Sequence, residues 1–286
     1  MTATALPTLP DRPAPLPAPR PGAATDSAAR VTQRSVVRAE WIKFRSVRSN
    51  VISLVAAGAV LVLFGALFSS LAGSDEALPP NATAGTDSLS MSFGGMNLSQ
   101  LVLGVLGALF VAGEYTTGMI RTMFAAVADR IPVLRAKAIV LAGTTWVVMT
   151  VASFVVFAAG QAVYADDGAT YGLGDDGVLR AVPGGGVYGA GIVLMGLALG
   201  FLLRSTAAAI STLVGTLMIA PGLVGLLPDS VSESIGKFLP SDAGQAFLNV
   251  AGTDALLSPT AGFAVFAAWV VGLLTAAVVV LRRRDA

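Results

Sequence analysis

Charged residues are spread unevenly along this chain of 286 residues, and six stretches of 23 to 28 residues contain none. An α-helix rises about 1.5 Å per residue, so about 20 apolar residues cross the hydrocarbon core of a bilayer. The pattern therefore predicts an all-α integral membrane protein with six transmembrane helices. The alternative, a water-soluble protein with buried helices, does not account for six such stretches. The spans are expected near residues 51–72, 93–113, 138–163, 187–203, 206–227 and 260–281.

The chain before the first predicted span differs in composition from the rest. Residues 1–33 are predicted to be a disordered tail rich in proline and alanine, with seven prolines from Pro7 to Pro21. Such a composition favours extended, solvated chain over a packed core. Residues 34–286 are then the transmembrane domain.

Residues 36–48 combine apolar residues at helical spacing with basic neighbours. This pattern predicts a helix that lies in the membrane interface, with its basic side chains near anionic headgroups. The alternative is an ordinary basic flank that only sets orientation. The predicted apolar face is Val37, Trp41, Phe44 and Val47, and the basic neighbours are Arg38, Lys43, Arg45 and Arg48.

Composition supports membrane residence and narrows the possible chemistry. Only 12% of the residues are charged and the mean hydropathy is +0.76, whereas about a quarter are charged in a typical soluble domain. The chain has no cysteine and no histidine, which excludes disulfides, thiol nucleophiles, the usual zinc sites and a histidine base. None of its three lysines lies in a phosphate-binding G-x-x-x-x-G-K-[ST] loop. We therefore expect no enzyme activity, cofactor or metal in this chain.

The basic residues predict an orientation. With six spans, 16 of the 18 lysines and arginines fall on one side of the membrane, and only Arg180 and Lys237 fall on the other. Cytoplasmic loops carry the excess of basic residues in membrane proteins. Both termini are therefore predicted to be cytoplasmic.

The predicted spans contain no ionisable side chain. Ion-driven carriers usually need such groups to bind the coupling ion. The pattern therefore disfavours a proton-driven antiporter, although a sodium site made of backbone carbonyls stays open. If the protein transports, its energy is expected to come from another subunit.

Residues 114–137, between the second and third predicted spans, form a charged segment with an internal helical rhythm. Met119, Met123 and Val127 recur every four residues, and Thr116 or Thr117 is placed to cap such a helix. A basic loop that only fixes orientation is the alternative.

Four stretches resemble stretches that occur in the same order in a known protein family. They are RAEWIKFRSVRSN before the first span, GEYTTGMIRTMFAAVADRIPVLRAK after the second, LLRSTAAAI at 202–210 and LPSDAGQAF at 239–247. Together they resemble the actinobacterial branch of the ABC-2 type permease family, over residues 34–284. The resemblance implies a membrane subunit of an ATP-binding cassette exporter in a bacterial plasma membrane. It also implies a dimer, homo- or heteromeric, with separate ATPase subunits that bind ATP and magnesium.

The resemblance also assigns roles to residues. In the family, the loop after the second span is a cytoplasmic coupling helix that docks in a groove of the ATPase. Carried over to this chain, the ATPase-coupling residues are Glu114, Thr116, Thr117, Gly118, Arg121 and Arg130, and the interfacial helix carries Arg38, Trp41, Lys43 and Phe44.

The sequence is also compatible with other functions. A self-powered secondary carrier is the alternative transporter, and a membrane scaffold, immunity protein or sensor is the alternative without transport. The apolar spans suit a hydrophobic, amphipathic or lipid-like substrate, and nothing in the sequence points to nucleic acid.

Overall fold

The computed structural model describes residues 32–72, 88–116, 118, 131–165, 170–250 and 256–283. By internal contacts the chain divides into Met1–Thr32 and Gln33–Ala286. Only Thr32 of the first unit is described, so residues 1–31 of the predicted disordered tail lie outside the described residues, while Gln33, its last residue, begins the first helix. The second unit contains every helix given below, and no β-strand occurs among the residues that the structure describes.

Eleven α-helices are found among the described residues. They are α1 (Gln33–Ser46), α2 (Arg48–Ala72), α3 (Ser88–Ser92), α4 (Met96–Thr116), α5 (Ile131–Val163), α6 (Val178–Leu203), α7 (Thr206–Val214), α8 (Ala220–Val224), α9 (Asp229–Gly236), α10 (Pro240–Leu248) and α11 (Pro259–Arg283). A 3-10 turn at Phe93–Gly95 joins α3 to α4, and a π-helical turn at Gly215–Ile219 joins α7 to α8.

Among the described residues, six helical stretches are long and apolar enough to cross a membrane, which confirms the predicted fold class. Two of them combine several elements, because α3 and α4 form one stretch and α7 and α8 form another. The six are Arg48–Ala72, Ser88–Tyr115, Ile131–Val163, Val178–Leu203, Thr206–Val224 and Pro259–Arg283.

Several helix ends differ from the predicted ones. The third span starts at Ile131 rather than 138, and the fourth at Val178 rather than 187. Uncharged stretches alone do not mark these ends, because Lys137 and Arg180 lie inside helices and find polar partners there. Residues 114–116 of the predicted coupling segment 114–137 thus belong to α4, and residues 131–137 belong to α5. Helix α1 covers Gln33–Ser46, whereas the sequence predicts an interfacial helix at 36–48, and the fifth apolar stretch ends at Val224 rather than 227.

Helix α6 lies at the centre of the bundle and packs against α4, α5 and α11. Its crossing with α4 depends on glycine. A Cβ added at Gly196 would overlap the carbonyl oxygen of Gly104, and one at Gly107 would overlap that of Val193. The two backbones are therefore in direct contact, as in other membrane helix pairs with small residues at the crossing.

The short helix α10 packs against α6 and α11 without being long enough to span a bilayer. Its carboxyl end is held by Arg180 of α6, which donates hydrogen bonds to the carbonyl oxygens of Phe247 and, at 2.8 Å, of Asn249. Carbonyl groups in the last turn of a helix lack intrahelical donors. The guanidinium supplies them, so this arginine fixes α10 on the bundle.

Candidate functional site

Four charged side chains meet where α1, α4 and α5 converge. The Lys137 ammonium lies 2.5 Å from Oε1 of Glu114 and 3.0 Å from Oε2 of Glu40. Lys43 of α1 also donates to Oε1 of Glu114. These residues, Glu40, Lys43, Glu114 and Lys137, are called the ion-pair cluster below.

The ion-pair cluster is buried and electrically balanced. Lys137 is completely inaccessible, Glu40 and Glu114 are almost so, and only the side chain of Lys43 reaches solvent, with 27% of it exposed. Taking an ion out of water costs several kcal/mol, which close ion pairing must offset. Two lysines and two glutamates provide that balance, and loss of one partner would leave a buried charge without compensation.

Aromatic rings close one side of the cluster. The Lys137 ammonium lies 4.7 Å from the ring centroid of Phe110, within the range of a cation–π contact. Phe44 of α1 packs edge-on against the same ring at 6.0 Å. The rings shield the charges and so strengthen the attraction between them.

Helix α1 reaches the cluster through a stripe of residues spaced four apart. Val36, Glu40 and Phe44 are its buried residues. Val36 packs against Val133 and Ala136 in the first turns of α5. Val36 and Phe44 thus anchor α1 on either side of Glu40, and this fixes the position of the Glu40 carboxylate beside Lys137.

The buried stripe differs from the apolar face that the sequence predicts for contact with lipid. Phe44 belongs to both, whereas Trp41 is 41% exposed and Val47 is also exposed at the surface of the protein. Glu40 lies on the buried stripe although it is charged. In the structure its ion pair with Lys137 allows it to face inward.

The ion-pair cluster brackets the segment 117–130. Glu114 lies two residues before the end of α4, and Lys137 lies in the second turn of α5. Their contact joins chain positions 23 residues apart. The helices α4 and α5 that flank the segment are thus tied to each other and to α1.

A second contact links the end of α4 to the turn between α6 and α7. The Arg204 guanidinium lies 5.5 Å from the ring centroid of Tyr115. Arg204 has φ = 51°, the left-handed conformation that commonly ends a helix, and Ser205 then caps α7 by accepting a hydrogen bond from the Ala208 amide at 3.4 Å. A side chain in this conformation is uncommon outside glycine and asparagine, so the tight turn holds Arg204 over Tyr115 at some conformational cost.

The predicted coupling residues fall in different places. Glu114 is part of the ion-pair cluster, and Thr116 is the last residue of α4. Gly118 is exposed and has φ = 71°, and an added Cβ would meet nothing within 4 Å. Its left-handed conformation suits glycine. Thr117, Arg121 and Arg130 lie outside the described residues, so their coupling role stays a prediction.

Four residues at this end of the bundle had no assigned role in the sequence-based prediction. Glu40 and Lys137 complete the ion-pair cluster, and Tyr115 and Arg204 form the second contact. The sequence does indicate that Glu40 shares a helix face with Val36 and Phe44, because it lies four residues from each. No local pattern indicates that Lys137 is its partner, since 97 residues separate them.

The cluster is not built to hold a metal. Its two carboxylates already face two ammonium groups, and hard cations such as calcium or magnesium need several free oxygen ligands. Across the stretches that the structure describes, no group of three or more acidic residues is placed to bind an ion.

Residues 36–219 match the sequence model of a family described as "ABC-2 family transporter protein". The matched region covers well over half of the 286 residues and runs from α1 through the π-helical turn, so it includes all four residues of the ion-pair cluster. No curated protein sequence is significantly similar to this chain.

Proposed function

Since the chain belongs to the ABC-2 transporter family, we propose that it is the permease subunit of an ATP-binding cassette exporter in a bacterial plasma membrane. In this proposal a separate subunit binds ATP and magnesium and hydrolyses the nucleotide. The permease pairs with a second permease subunit, identical or related, and moves a hydrophobic or amphipathic compound. The 16-to-2 distribution of basic residues supports a cytoplasmic position for both termini and for residues 117–130.

The observation that carries the proposal is the contact between Glu114 and Lys137. An ATPase that pushes on residues 117–130 must move something rigid if its motion is to reach the spans. The ion pair makes the ends of α4 and α5 one unit at the base of that segment. Helix α1 belongs to the same unit through Glu40 and Lys43.

A buried ion pair suits this role better than apolar packing would. Apolar contacts are non-directional and tolerate sliding, whereas separating buried opposite charges is costly. The elements joined by the cluster therefore move together. The Tyr115–Arg204 contact extends this connection to the turn between the fourth and fifth spans.

The test is recovery of the ATPase from native membranes. The tagged chain is purified in mild detergent, and co-purifying proteins are identified by mass spectrometry. We expect a P-loop ATPase with the wild type, and reduced recovery with Arg121→Glu, since loss of a charge-assisted contact at an interface costs about 2–5 kcal/mol.

The matched control is Arg283→Glu, which reverses an exposed basic residue at the end of α11. It should leave ATPase recovery unchanged. Absence of any ATPase from the wild-type sample would contradict the proposal, and would favour a secondary carrier or a protein without transport activity.

A further inference from the structure

An open groove runs along the surface of α11, beside the chain that joins α9 to α10. It has a volume of about 490 Å³, which is within the usual range of small-molecule sites. Its lining consists of aliphatic and aromatic residues, namely Phe238, Val265, Ala268, Trp269, Gly272 and Leu273. These six residues are called the α11 groove below.

The shape of the α11 groove is set by one hydrogen bond and one missing side chain. Nε1 of Trp269 donates a 3.0 Å hydrogen bond to the carbonyl oxygen of Phe238, which holds the chain after α9 against α11 as one wall. Gly272 leaves the floor open, because a Cβ added there would meet nothing within 4 Å. The groove is therefore a built feature of this helix surface.

The α11 groove extends over the depth of one lipid leaflet. Leu273 and Val265 precede Arg282, at the predicted cytoplasmic end of α11, by 9 and 17 residues. These separations correspond to about 14 and 26 Å along the helix axis, and the hydrocarbon core is about 30 Å thick. The groove thus runs from the middle of the membrane to near its outer boundary, where the acyl chains of outer-leaflet lipids lie.

A lysine lies beside the groove and within the membrane. Trp269, which holds Phe238, precedes Arg282 by 13 residues, or about 20 Å. The backbone of Lys237 is therefore about 10 Å inside the outer boundary of the hydrocarbon core. Its side chain is partly exposed, and its ammonium lies 5.7 Å from the ring centroid of Phe238. A lysine at this depth extends toward the headgroups or meets an anion.

No acid of the described chain forms an ion pair with Lys237. Glu233 is one turn earlier in α9 and is exposed. The Asp242 carboxylate on α10 accepts a hydrogen bond from Ser241 at 3.2 Å. The positive charge beside the α11 groove is therefore available to an anion from outside the chain.

We propose that the α11 groove and Lys237 bind an anionic phospholipid of the outer leaflet. One acyl chain lies in the groove, and the headgroup phosphate faces the Lys237 ammonium. A phospholipid combines the apolar chain that suits the lining with the negative charge that suits the lysine. A lipid with net negative charge is preferred, because a zwitterionic headgroup carries its own ammonium group beside the phosphate. The site does not depend on ATP-driven transport.

Trp269 gives a direct measurement, since it lines the groove. The chain has three tryptophans, so the full-length protein with Trp41→Phe and Trp146→Phe retains Trp269 alone. It is reconstituted in phosphatidylcholine vesicles, and quenching of its fluorescence is compared for phosphatidylglycerol and phosphatidylcholine with brominated acyl chains. We expect about fivefold higher relative affinity for phosphatidylglycerol, the effect of one basic residue at a lipid surface.

Trp146 provides the matched control reporter. It is 49% exposed on α5 and is retained alone when Trp41→Phe and Trp269→Phe are combined. Its fluorescence measures ordinary contact with the bilayer and should show no preference between the two lipids. An equal preference at Trp146 and Trp269 would overturn the proposal, because the α11 groove would then not differ from the general lipid-facing surface.

Two variants of the protein that retains Trp269 test the two parts of the site. Lys237→Gln removes the charge and should abolish the preference for phosphatidylglycerol. Gly272→Leu fills the floor of the groove and should reduce the preference by displacing the acyl chain. Gly143→Leu, at an equally open position on α5, is its control and should behave like the parent protein.

A preference that persists in either Lys237→Gln or Gly272→Leu would overturn the proposal. Protection of Trp269 from both brominated lipids would also overturn it, and would show that a second copy of the chain covers the α11 groove.

Discussion

The Lys137 ammonium contacts both Glu114, at 2.5 Å, and Glu40, at 3.0 Å, although these acids belong to different helices. A single lysine thus joins α1, α4 and α5 at one point. It is fully buried and also lies over the Phe110 ring. No other residue of the ion-pair cluster contacts both carboxylates, so Lys137 is its central residue.

Replacing Lys137 with methionine should destabilise the protein strongly. The variant keeps an unbranched side chain of similar length, removes the ion-pair partner of the buried Glu40 and leaves Glu114 with Lys43. Breaking a buried ion pair from one side typically costs about 3–5 kcal/mol. The measurement is thermal unfolding in detergent, followed by intrinsic fluorescence. Arg135→Met, which changes an exposed basic residue on the same helix, is the control and should shift the midpoint little; equal shifts for the two variants would contradict the role of Lys137.

The packing of α1 should depend on Phe44 and not on Trp41. Phe44 is buried against Phe110, whereas Trp41 is largely exposed. Removing a buried aromatic ring costs about 3–5 kcal/mol, so Phe44→Ala should lower the unfolding midpoint clearly. Trp41→Ala should have a much smaller effect in detergent. A larger effect from Trp41 would contradict the role of the buried stripe in holding the helix in place.

Membrane orientation can be tested by single-cysteine labelling, because the wild-type chain has no cysteine. Three exposed positions suit this test. Ser35 lies on the predicted cytoplasmic side, and Thr170 and Ser258 lie on the predicted outer side. A membrane-impermeant maleimide should label T170C and S258C in intact cells, and S35C only after permeabilisation. Labelling of S35C in intact cells would contradict the orientation deduced from the basic residues.

The sequence predicts the spans well and their ends less well, for a physical reason. Whether a helix can cross the membrane depends on how apolar its own consecutive residues are, and this can be read directly from the sequence. A charged residue was treated as the end of a span, yet Lys137 and Arg180 both continue a helix because their partners come from elsewhere in the chain. The partners of Lys137 are 23 and 97 residues away and those of Arg180 are 67 and 69 residues away, so no local pattern reveals them.

Only one residue of the ion-pair cluster was predicted from the sequence to have a functional role beyond the interfacial helix. Glu114 stood out because it follows an uncharged stretch and begins a charged segment. The prediction assigned it directly to the ATPase interface, while the structure places its carboxylate inside the bundle. The role of Gly118 and its neighbours at a partner surface remains a prediction, since that surface involves a second protein.

The buried position of Glu114 leads to the most discriminating prediction about function. Neutralising it as Glu114→Gln keeps the side-chain shape but weakens its attraction to Lys43 and Lys137. Residues 117–130 are unchanged, so the ATPase should still bind. The ends of α4 and α5 would no longer move as one unit, so hydrolysis should continue while efflux falls. Coupling free energies between sites are typically about 1–3 kcal/mol, which corresponds to a loss of about 5- to 150-fold.

The measurement is ATP hydrolysis and substrate efflux by the same reconstituted complex, beside recovery of the ATPase on purification. Arg121→Glu is the contrasting variant, because it should lose ATPase recovery and efflux together. Glu114→Gln should retain recovery and lose efflux per ATP hydrolysed. If Glu114→Gln instead loses the ATPase to the same degree as Arg121→Glu, Glu114 acts at the partner surface. If hydrolysis and efflux both stay at wild-type levels, the ion-pair cluster stabilises the fold and does not transmit movement.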